Sequence, residues 1–533
     1  MDSLASRIML LWGWRRLACA FLAGAASALA MPPFSFPLVL FITLPVLVWL
    51  IDGAIDSGSK RRPRKLRPAF LVGWWFGFGY CLAGLYWVGN AFLVEADQFG
   101  WMMPIAVLVL TGGMALYYAL AAGFARLIWP EGPARILSLA GMFGLMEWLR
   151  GHLFSGFPWN TLGYALTADL RMMQVASLLN VYALTVIAVF IFASPAALGP
   201  GRPRWLFPSL SVLLLAGVFG FGTWRLQNAS DETVPGLGMR IVQANIKQTE
   251  KWVPENRQRI FEEYLRLTDQ ARTPPSPSAP PITHVIWTEA APPFFLTREP
   301  MALAAIANAL PGDTRLLTGS NRVDDSNPKE GPVVFNSLYV ISGDGSVETV
   351  YDKVKLVPFG EFVPFEPLLD QLGITRIVPV PGSFRQGRKP MAIAAGAAPL
   401  VRPLICYEII YPANVIGDGQ RPGWFVHVTN EAWFGNSPGP RQHFHKARVR
   451  AIEEGIPVIR SANTGVSAVI DGYGRVLEQI PLNEAGVIDS ALPAALAAPP
   501  AARFGNRAVL VLIVFSLLTA ALGLYYENRR RSV

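Results

Sequence analysis

The sequence predicts a polytopic α-helical membrane protein with one large layered α/β domain outside the cytoplasm. Three observations lead there. Of 533 residues, 52% are hydrophobic and only 16% charged, against about 25% charged in an ordinary soluble domain. Runs that approach the roughly 20 apolar residues needed to cross a bilayer crowd the first 225 residues and recur near the end. Between them, residues 226–505 differ in character: short β-branched runs alternate with polar helical stretches. A purely soluble enzyme, a disordered chain and a disulfide scaffold are thereby excluded, the last by a total of three cysteines. The net charge of +9 suits either nucleic acid or a membrane surface, and the apolar excess decides for the bilayer.

The expected spans lie near 15–31, 36–52, 69–91, 102–125, 134–150, 172–195, 205–224 and 506–526. About eight helices thus divide the chain into a membrane domain (1–225), an outer domain (226–505) and a last span with a basic tail (506–533). Twelve of the sixteen Trp precede residue 225, many at the ends of apolar runs, as in an interfacial belt. Gly73 and Gly77 have the small-xxx-small spacing of close helix packing. Orientation follows from Lys and Arg. With a cytoplasmic N-terminus, the clusters at Arg15-Arg16, Lys60–Arg67 and Arg529–Arg531 fall inside, whereas the short outer loops hold little beyond Arg150 and Arg171. An odd number of spans before residue 226 then places the large domain outside. Arg15-Arg16, an apolar run and Ala28-Leu29-Ala30 also fit a cleaved signal peptide, which would leave every later span oriented the same way.

In the outer domain, Asn228–Gly238 and the Pro-rich Ala491–Ala502 read as linkers. Strands are expected at Arg240–Asn245, His284–Trp287, Val334–Ile341, Pro403–Ile405, Trp424–Thr429, Pro457–Arg460 and Ser467–Ile470. A helix with a charged face is expected at Gln442–Glu454. This alternation predicts a sheet buried between helices. Arg272–Pro281 (RTPPSPSAPP) reads as a surface loop.

Three polar residues follow strand-like runs, where a buried sheet can present side chains to a crevice. They are Glu289 after HVIWT, Lys353 within YDKVKLVPFGE, and Cys406 after PLI. Cys19 and Cys81 lie in expected spans, so Cys406 is the lone thiol of the outer domain. An unpaired Cys in an oxidising compartment is either a reactive thiol or an inert buried hydrophobe. A thiolate attacks carbonyls once its proton is removed. Glu289 is a plausible base, and Lys353 a plausible cation for the thiolate and an oxyanion. The plain alternatives are a turn-capping Glu and a solvated Lys.

A Glu, a Lys and a Cys in that order resemble the triad of the nitrilase (carbon–nitrogen hydrolase) superfamily. The words around them are narrower: Tyr351-x-Lys353-x-x-Leu356-Val-Pro-Phe-Gly-Glu361-x-Val-Pro, Cys406-Tyr-Glu408, Ala432-Trp-Phe-Gly435, Gln442-His-Phe444, Arg460-Ser-x-Asn463-x-Gly465 and Gly156-Phe-Pro-Trp159. Together they are similar to the apolipoprotein N-acyltransferase family, across essentially the whole chain. Thr288 stands where many members have Pro, and Glu431 where Asp is expected.

The resemblance implies an αββα sandwich with Cys406 as nucleophile, Glu289 as general base and Lys353 stabilising the tetrahedral intermediate. Glu361 matches an additional acidic residue beside the triad. Tyr407 and Glu408 match positions that support the nucleophile, and Trp252 matches a Trp at the pocket mouth. It further implies a multi-pass protein of the bacterial inner membrane with its catalytic domain on the periplasmic side. The implied acyl donor is a phospholipid, and the acceptor is an apolipoprotein bearing a diacylglyceryl-cysteine. The apolar segments Ala290–Leu296 and Phe362–Ile374 are expected either to form lids toward lipid or to anchor in the domain core.

No cofactor is implied, and no phosphate-binding Gly-rich loop with Lys is present. A metal is not expected, because His443 and His445 at i, i+2 on a helix point to different faces. Nucleic acid is not expected either, since the basic clusters flank spans. Two other classes compete. A tethered amidase would share the triad but would need only one anchor. A transporter would carry paired charges deep in its spans, and almost none are found: Glu147 lies toward a span end beside Arg150.

Overall fold

The computed structural model describes residues 2–54, 62–198, 205–271, 280–326, 331–362, 371 and 384–531. Lys60, Arg61, Arg202 and Arg204, nearly all of the 272–281 loop and nearly all of the 362–374 segment lie outside the described residues. The chain forms two compact units. One comprises Met1–Gly89, Met102–Ala229 and Pro499–Val533; the other comprises Asn90–Trp101 and Ser230–Ala498.

The first unit is helical. Its principal helices are Gly13–Ser27, Leu40–Asp52, Arg62–Leu85, Met103–Ala125, Arg135–His152, Val181–Ala193, Leu206–Gln227 and Asn506–Arg531. Among the described residues, five helical stretches are long and apolar enough to cross a membrane: Leu66–Leu93, Ala96–Ile128, Val181–Leu198, Leu206–Gln227 and Asn506–Arg531. The run expected from residue 172 starts its long helix later, at Val181, because Asn180 caps it by accepting the Ala183 N–H at 3.1 Å. Gly73 and Gly77 are packing residues. A Cβ on either would stand 2.5 Å from an atom of Tyr118, on the helix Met103–Ala125.

One buried charged pair in this unit, Glu147 and Arg150, is a clamp. Both residues are 2% exposed. Arg150 donates to the carbonyls of Phe157 and Trp159 at 3.0 and 2.8 Å, within the Gly156-Phe-Pro-Trp159 word. Glu147 accepts from Leu162 N at 3.1 Å, Thr185 at 2.7 Å and Tyr118 at 3.2 Å. Buried charges need such partners, and these partners hold an irregular backbone segment in place.

The second unit contains two sheets. Strands β1 (Thr233–Gln243), β2 (Ile282–Ile286), β3 (Arg315–Asp324), β4 (Val333–Ile341) and β5 (Val347–Asp352) join β11 (Gly486–Pro493) in one sheet, ordered β11-β1-β2-β3-β4-β5. Strands β6 (Val401–Ile405), β7 (Trp424–Thr429), β8 (Val458–Ala462), β9 (Ser467–Ile470) and β10 (Val476–Ile480) form the other, ordered β10-β9-β8-β7-β6. The pairs β1–β2, β2–β3, β6–β7 and β7–β8 are parallel, and the remaining pairs are antiparallel.

Period-2 alternation explains the layering. Ile241, Ile286, Leu317, Leu338 and Val340 share one core cluster with Ile405, Val426, Val428 and Ile459 of the second sheet. Their neighbours Val242, Val285, Trp287, Leu316, Tyr339 and Ile341 face the other way. They pack against Ile260, Tyr264 and Ile306 on the helices Arg257–Asp269 and Pro300–Ala309. Helix Pro438–Glu454 contacts β8 of the second sheet. A strand apolar on both faces reads as a continuous run, so the residue pattern alone suggested a single sheet where two are packed together.

The expected linkers also need correction. β1 begins at Thr233, and its Thr233 and Gly238 pair with Pro493 and Ala491 of β11 across a register shift. Residues 233–238 and 491–493 therefore close the edge of the first sheet. Their Gly and Pro content marks a bulge and a strand end rather than a tether. The segment Ala290–Leu296 is anchored: Ala291 and Leu296 are fully buried, and the Phe294 ring meets Phe261 edge-on at 5.3 Å.

Candidate active site

The residues singled out lie at strand ends. Glu289 follows β2 by three residues, Lys353 follows β5 directly, and Cys406 follows β6 directly. Their backbones are specialised. Cys406 adopts φ +50 and Ala290, next to Glu289, φ +45, a left-handed region that costs a non-Gly residue roughly 1–3 kcal/mol. Gly319 on β3 passes directly beneath Glu289. A Cβ there would lie 2.6 Å from the Glu289 Cα, so only Gly admits the close approach.

The charged side chains form one buried network. Lys353 is 1% exposed, and its Nζ lies 2.9 Å from Glu361 Oε1 and 3.4 Å from Glu289 Oε1. Asn336 on β4 completes it, its Nδ2 donating at 2.8 Å both to Glu289 Oε1 and to Glu361 Oε1. The second oxygen of each carboxylate is held by backbone: Asn430 N donates to Glu289 Oε2 at 2.9 Å, and Val357 N to Glu361 Oε2 at 2.8 Å. Burial disfavours the Lys353 ammonium, but Glu361 and Glu289 outweigh it and raise the Lys353 pKa above its ordinary value. Lys353 is therefore a fixed cation.

Cys406 retains some exposed surface and packs against the inter-sheet core. Burial and then the Glu289 charge push its thiol up, while Lys353 and the Thr429 hydroxyl pull it down without cancelling the rise. The resting sulfur is thus protonated. Attack on a carbonyl would require a base to take that proton, and of the two carboxylates whose charge acts on the thiol, Glu289 acts more strongly than Glu361.

Glu408 ties the two sheets together at this point. Its Oε1 accepts from Tyr351 OH at 2.8 Å, Val354 N at 2.9 Å and Lys355 N at 3.3 Å, all at the end of β5. Its Oε2 accepts from Ile405 N at 2.9 Å, at the end of β6. Tyr407 is buried with its ring edge-on to Tyr411 at 5.4 Å. Trp252 is 41% exposed and ends the turn Gln248–Lys251, outside the carboxylate network.

Three partners went unrecognised in the sequence, and a fourth was noted only as a departure from the family's word. Asn336 is a polar residue inside an apolar strand, and Asn430 stands at a strand end; both positions carry a weak signal of function. Lys251, 1% exposed, donates to the Glu289 carbonyl at 3.2 Å, and burial lowers its pKa to about 8. Glu431 is the fourth. It accepts from Arg460 at 2.6 Å and faces His443 Nδ1 at 2.6 Å, and a Cβ on Gly465 would lie 1.7 Å from its Oε2. The words around Ala432, His443, Arg460 and Gly465 are thus one buried cluster. Thr288, where Pro is common, bonds Tyr264 OH at 2.7 Å. Among the described residues, no group of three His, Cys, Asp or Glu is placed to hold a metal ion.

Comparison with known proteins gives the context. Residues 23–194 match the apolipoprotein N-acyltransferase N-terminal domain, and residues 290–499 match the carbon-nitrogen hydrolase domain. The chain is 45% identical to the apolipoprotein N-acyltransferase of Rhodopseudomonas palustris, over 97% of each protein. It is 46% identical to that of Bradyrhizobium diazoefficiens, over 98% of this chain and 97% of that protein. The Brucella suis protein of the same name is 44% identical over 99% of both. With identity at this level running from end to end through both domains, the chain belongs to the apolipoprotein N-acyltransferase family.

Proposed function

We propose that this chain moves a fatty acyl group from a membrane phospholipid to the α-amine of an apolipoprotein's diacylglyceryl-cysteine, carrying it on Cys406 as a thioester. The observation that carries the reading is the network itself. A protonated, partly open thiol sits at a strand end under the influence of two carboxylates, Glu289 ahead of Glu361, and one fixed ammonium. Glu289 takes the thiol proton as Sγ attacks the ester carbonyl, and Lys353 stabilises the oxyanion. Collapse of the tetrahedral intermediate breaks the ester C–O bond. The alkoxide takes the proton from Glu289 and leaves as lysophospholipid. The acceptor amine then attacks the thioester and loses a proton to Glu289, and the sulfur departs and recovers that proton. An amide is more stable than a thioester, so no further energy source is needed.

Glu361 holds Lys353 in place, and Glu408 holds the Cys406 turn against the Lys353 strand. Trp252 lines the mouth. In this reading the domain works on the periplasmic face of a bacterial inner membrane, where both substrates are embedded; the Lys and Arg asymmetry of the sequence and its long apolar helices support that side. The test is mass spectrometry of the purified protein incubated with phospholipid. A fatty-acyl adduct is expected on the Cys406 peptide, absent in Cys406→Ala, Glu289→Gln and Lys353→Met. Ready hydrolysis of a soluble amide without an adduct would favour an amidase instead.

A further inference from the structure

Two histidines converge on the carbonyl oxygen of Cys406. His427 Nε2 lies 3.1 Å from it and His443 Nε2 3.2 Å, with the rings edge-on at 5.1 Å. Both side chains are essentially inaccessible, at 0% and 1% exposure. They come from different elements, His427 from β7 and His443 from the helix Pro438–Glu454. Neither belongs to the carboxylate network.

The groups behind them determine where their protons lie. Arg460 Nη1 is 2.6 Å from His427 Nδ1. A guanidinium only donates, so His427 Nδ1 accepts and its proton sits on Nε2, directed at the Cys406 carbonyl. Arg460 Nη2 donates to Glu431 Oε1 at 2.6 Å, and the same oxygen meets His443 Nδ1 at 2.6 Å. A carbonyl only accepts, so His443 Nε2 also donates. One further proton is therefore shared between His443 Nδ1 and Glu431. Burial keeps both imidazoles well below their ordinary pKa, and it raises Glu431. Both directions suit a proton held on the Glu431 side.

We propose that His427 and His443 are positioning residues for the nucleophile: their paired N–H donors hold Cys406 at its left-handed φ so that Sγ faces Glu289 and Lys353. An isolated non-Gly residue resists this conformation, and two buried hydrogen bonds offset that resistance. If the carbonyl is released, the turn relaxes and the sulfur moves. A displacement of about 1 Å in a reacting group costs on the order of 10²-fold in rate. The inference rests on Cys406 being the acyl carrier.

The experiment is single-turnover acylation of Cys406 by phospholipid in the purified full-length protein, followed by mass spectrometry over a range of phospholipid concentrations. His443→Leu removes the donor, and His443→Gln keeps an amide N–H near the Nε2 position. His443→Leu is expected to acylate about 10²-fold more slowly at saturation, with an unchanged half-saturation point and a cooperative unfolding transition. His443→Gln is expected to recover at least about tenfold of that loss. Wild-type rates in folded His443→Leu, or a change confined to half-saturation, would overturn the proposal. So would equal rates in His443→Gln and His443→Asn, whose shorter amide reaches only the Nδ1 position; this second pair serves if the Leu variant does not fold. If the wild-type protein takes up no acyl group, the functional reading itself fails. If the wild type is acylated and the variants match it, only the histidine inference falls.

Discussion

Replacing Glu408 with Ala removes the joint between the two halves of the site. The carboxylate, 4% exposed, receives four hydrogen bonds. Tyr351, Val354 and Ile405 are 3%, 7% and 0% exposed, so their donors would be left without water. Lys355 is only partly buried and can rehydrate. Each orphaned buried donor costs about 1–3 kcal/mol. Allowing for some water entering the space vacated by the carboxylate, the three together amount to about 3–6 kcal/mol. For a domain of this size that lowers the unfolding midpoint by roughly 10 °C. Glu408→Gln retains one oxygen for the three donors at Oε1 and turns its amide against Ile405 N–H. Its cost is therefore about a third as large, at about 1–2 kcal/mol. Thermal unfolding of the detergent-solubilised protein, followed by Trp fluorescence, should rank wild type above Gln above Ala. Cys406 acylation should fall in the same order, because Cys406 and Lys353 are on opposite sides of this joint. A Glu408→Ala protein within 1 kcal/mol of wild type, or one acylated at the wild-type rate, would refute the reasoning.

Gly319→Ala should displace the Glu289 turn, since its Cβ would stand 2.6 Å from the Glu289 Cα. A fall of about tenfold or more in acylation rate at saturating phospholipid is expected, and an undiminished rate would show that the turn can yield. Lys251 should make stability depend on alkaline pH. Its folded pKa of about 8 lies below its unfolded value, so between about pH 8 and 10.5 the unfolded chain holds the proton that the folded chain has released. Folding is then favoured progressively as pH rises, by about 3 kcal/mol in full. Relative to Lys251→Met, the wild type should gain in unfolding midpoint from pH 7 to pH 10. A constant difference would mean that Lys251 stays charged in the fold.

Much of the site was legible because strand-end chemistry leaves local marks. Glu289, Lys353 and Cys406 each follow a short apolar run, and the lone thiol of a large domain stands out by elimination. Glu361, Tyr407 and Glu408 were found only through the words they belong to. Asn336 and Asn430 were missed: each is a single polar residue whose partners lie far away in sequence, Asn336 being 47 residues from Glu289 and Asn430 141. Sequence spacing carries no trace of such pairings.

Local residue patterns were enough for the class of the molecule and for where its helices run. Both follow from hydropathy summed over local windows, and burial of apolar surface is proportional to area wherever the partner comes from. The two packed sheets were expected from the family resemblance but not from residue periodicity, and that β1 and β11 close an edge emerged from the folded chain. Only the tertiary structure decided that an amide on β4 bridges two carboxylates, and that two histidines meet on the carbonyl of Cys406. Hydrogen bonds are directional and short-ranged. A contact between residues hundreds of positions apart therefore exists only once the sheets have brought their ends together.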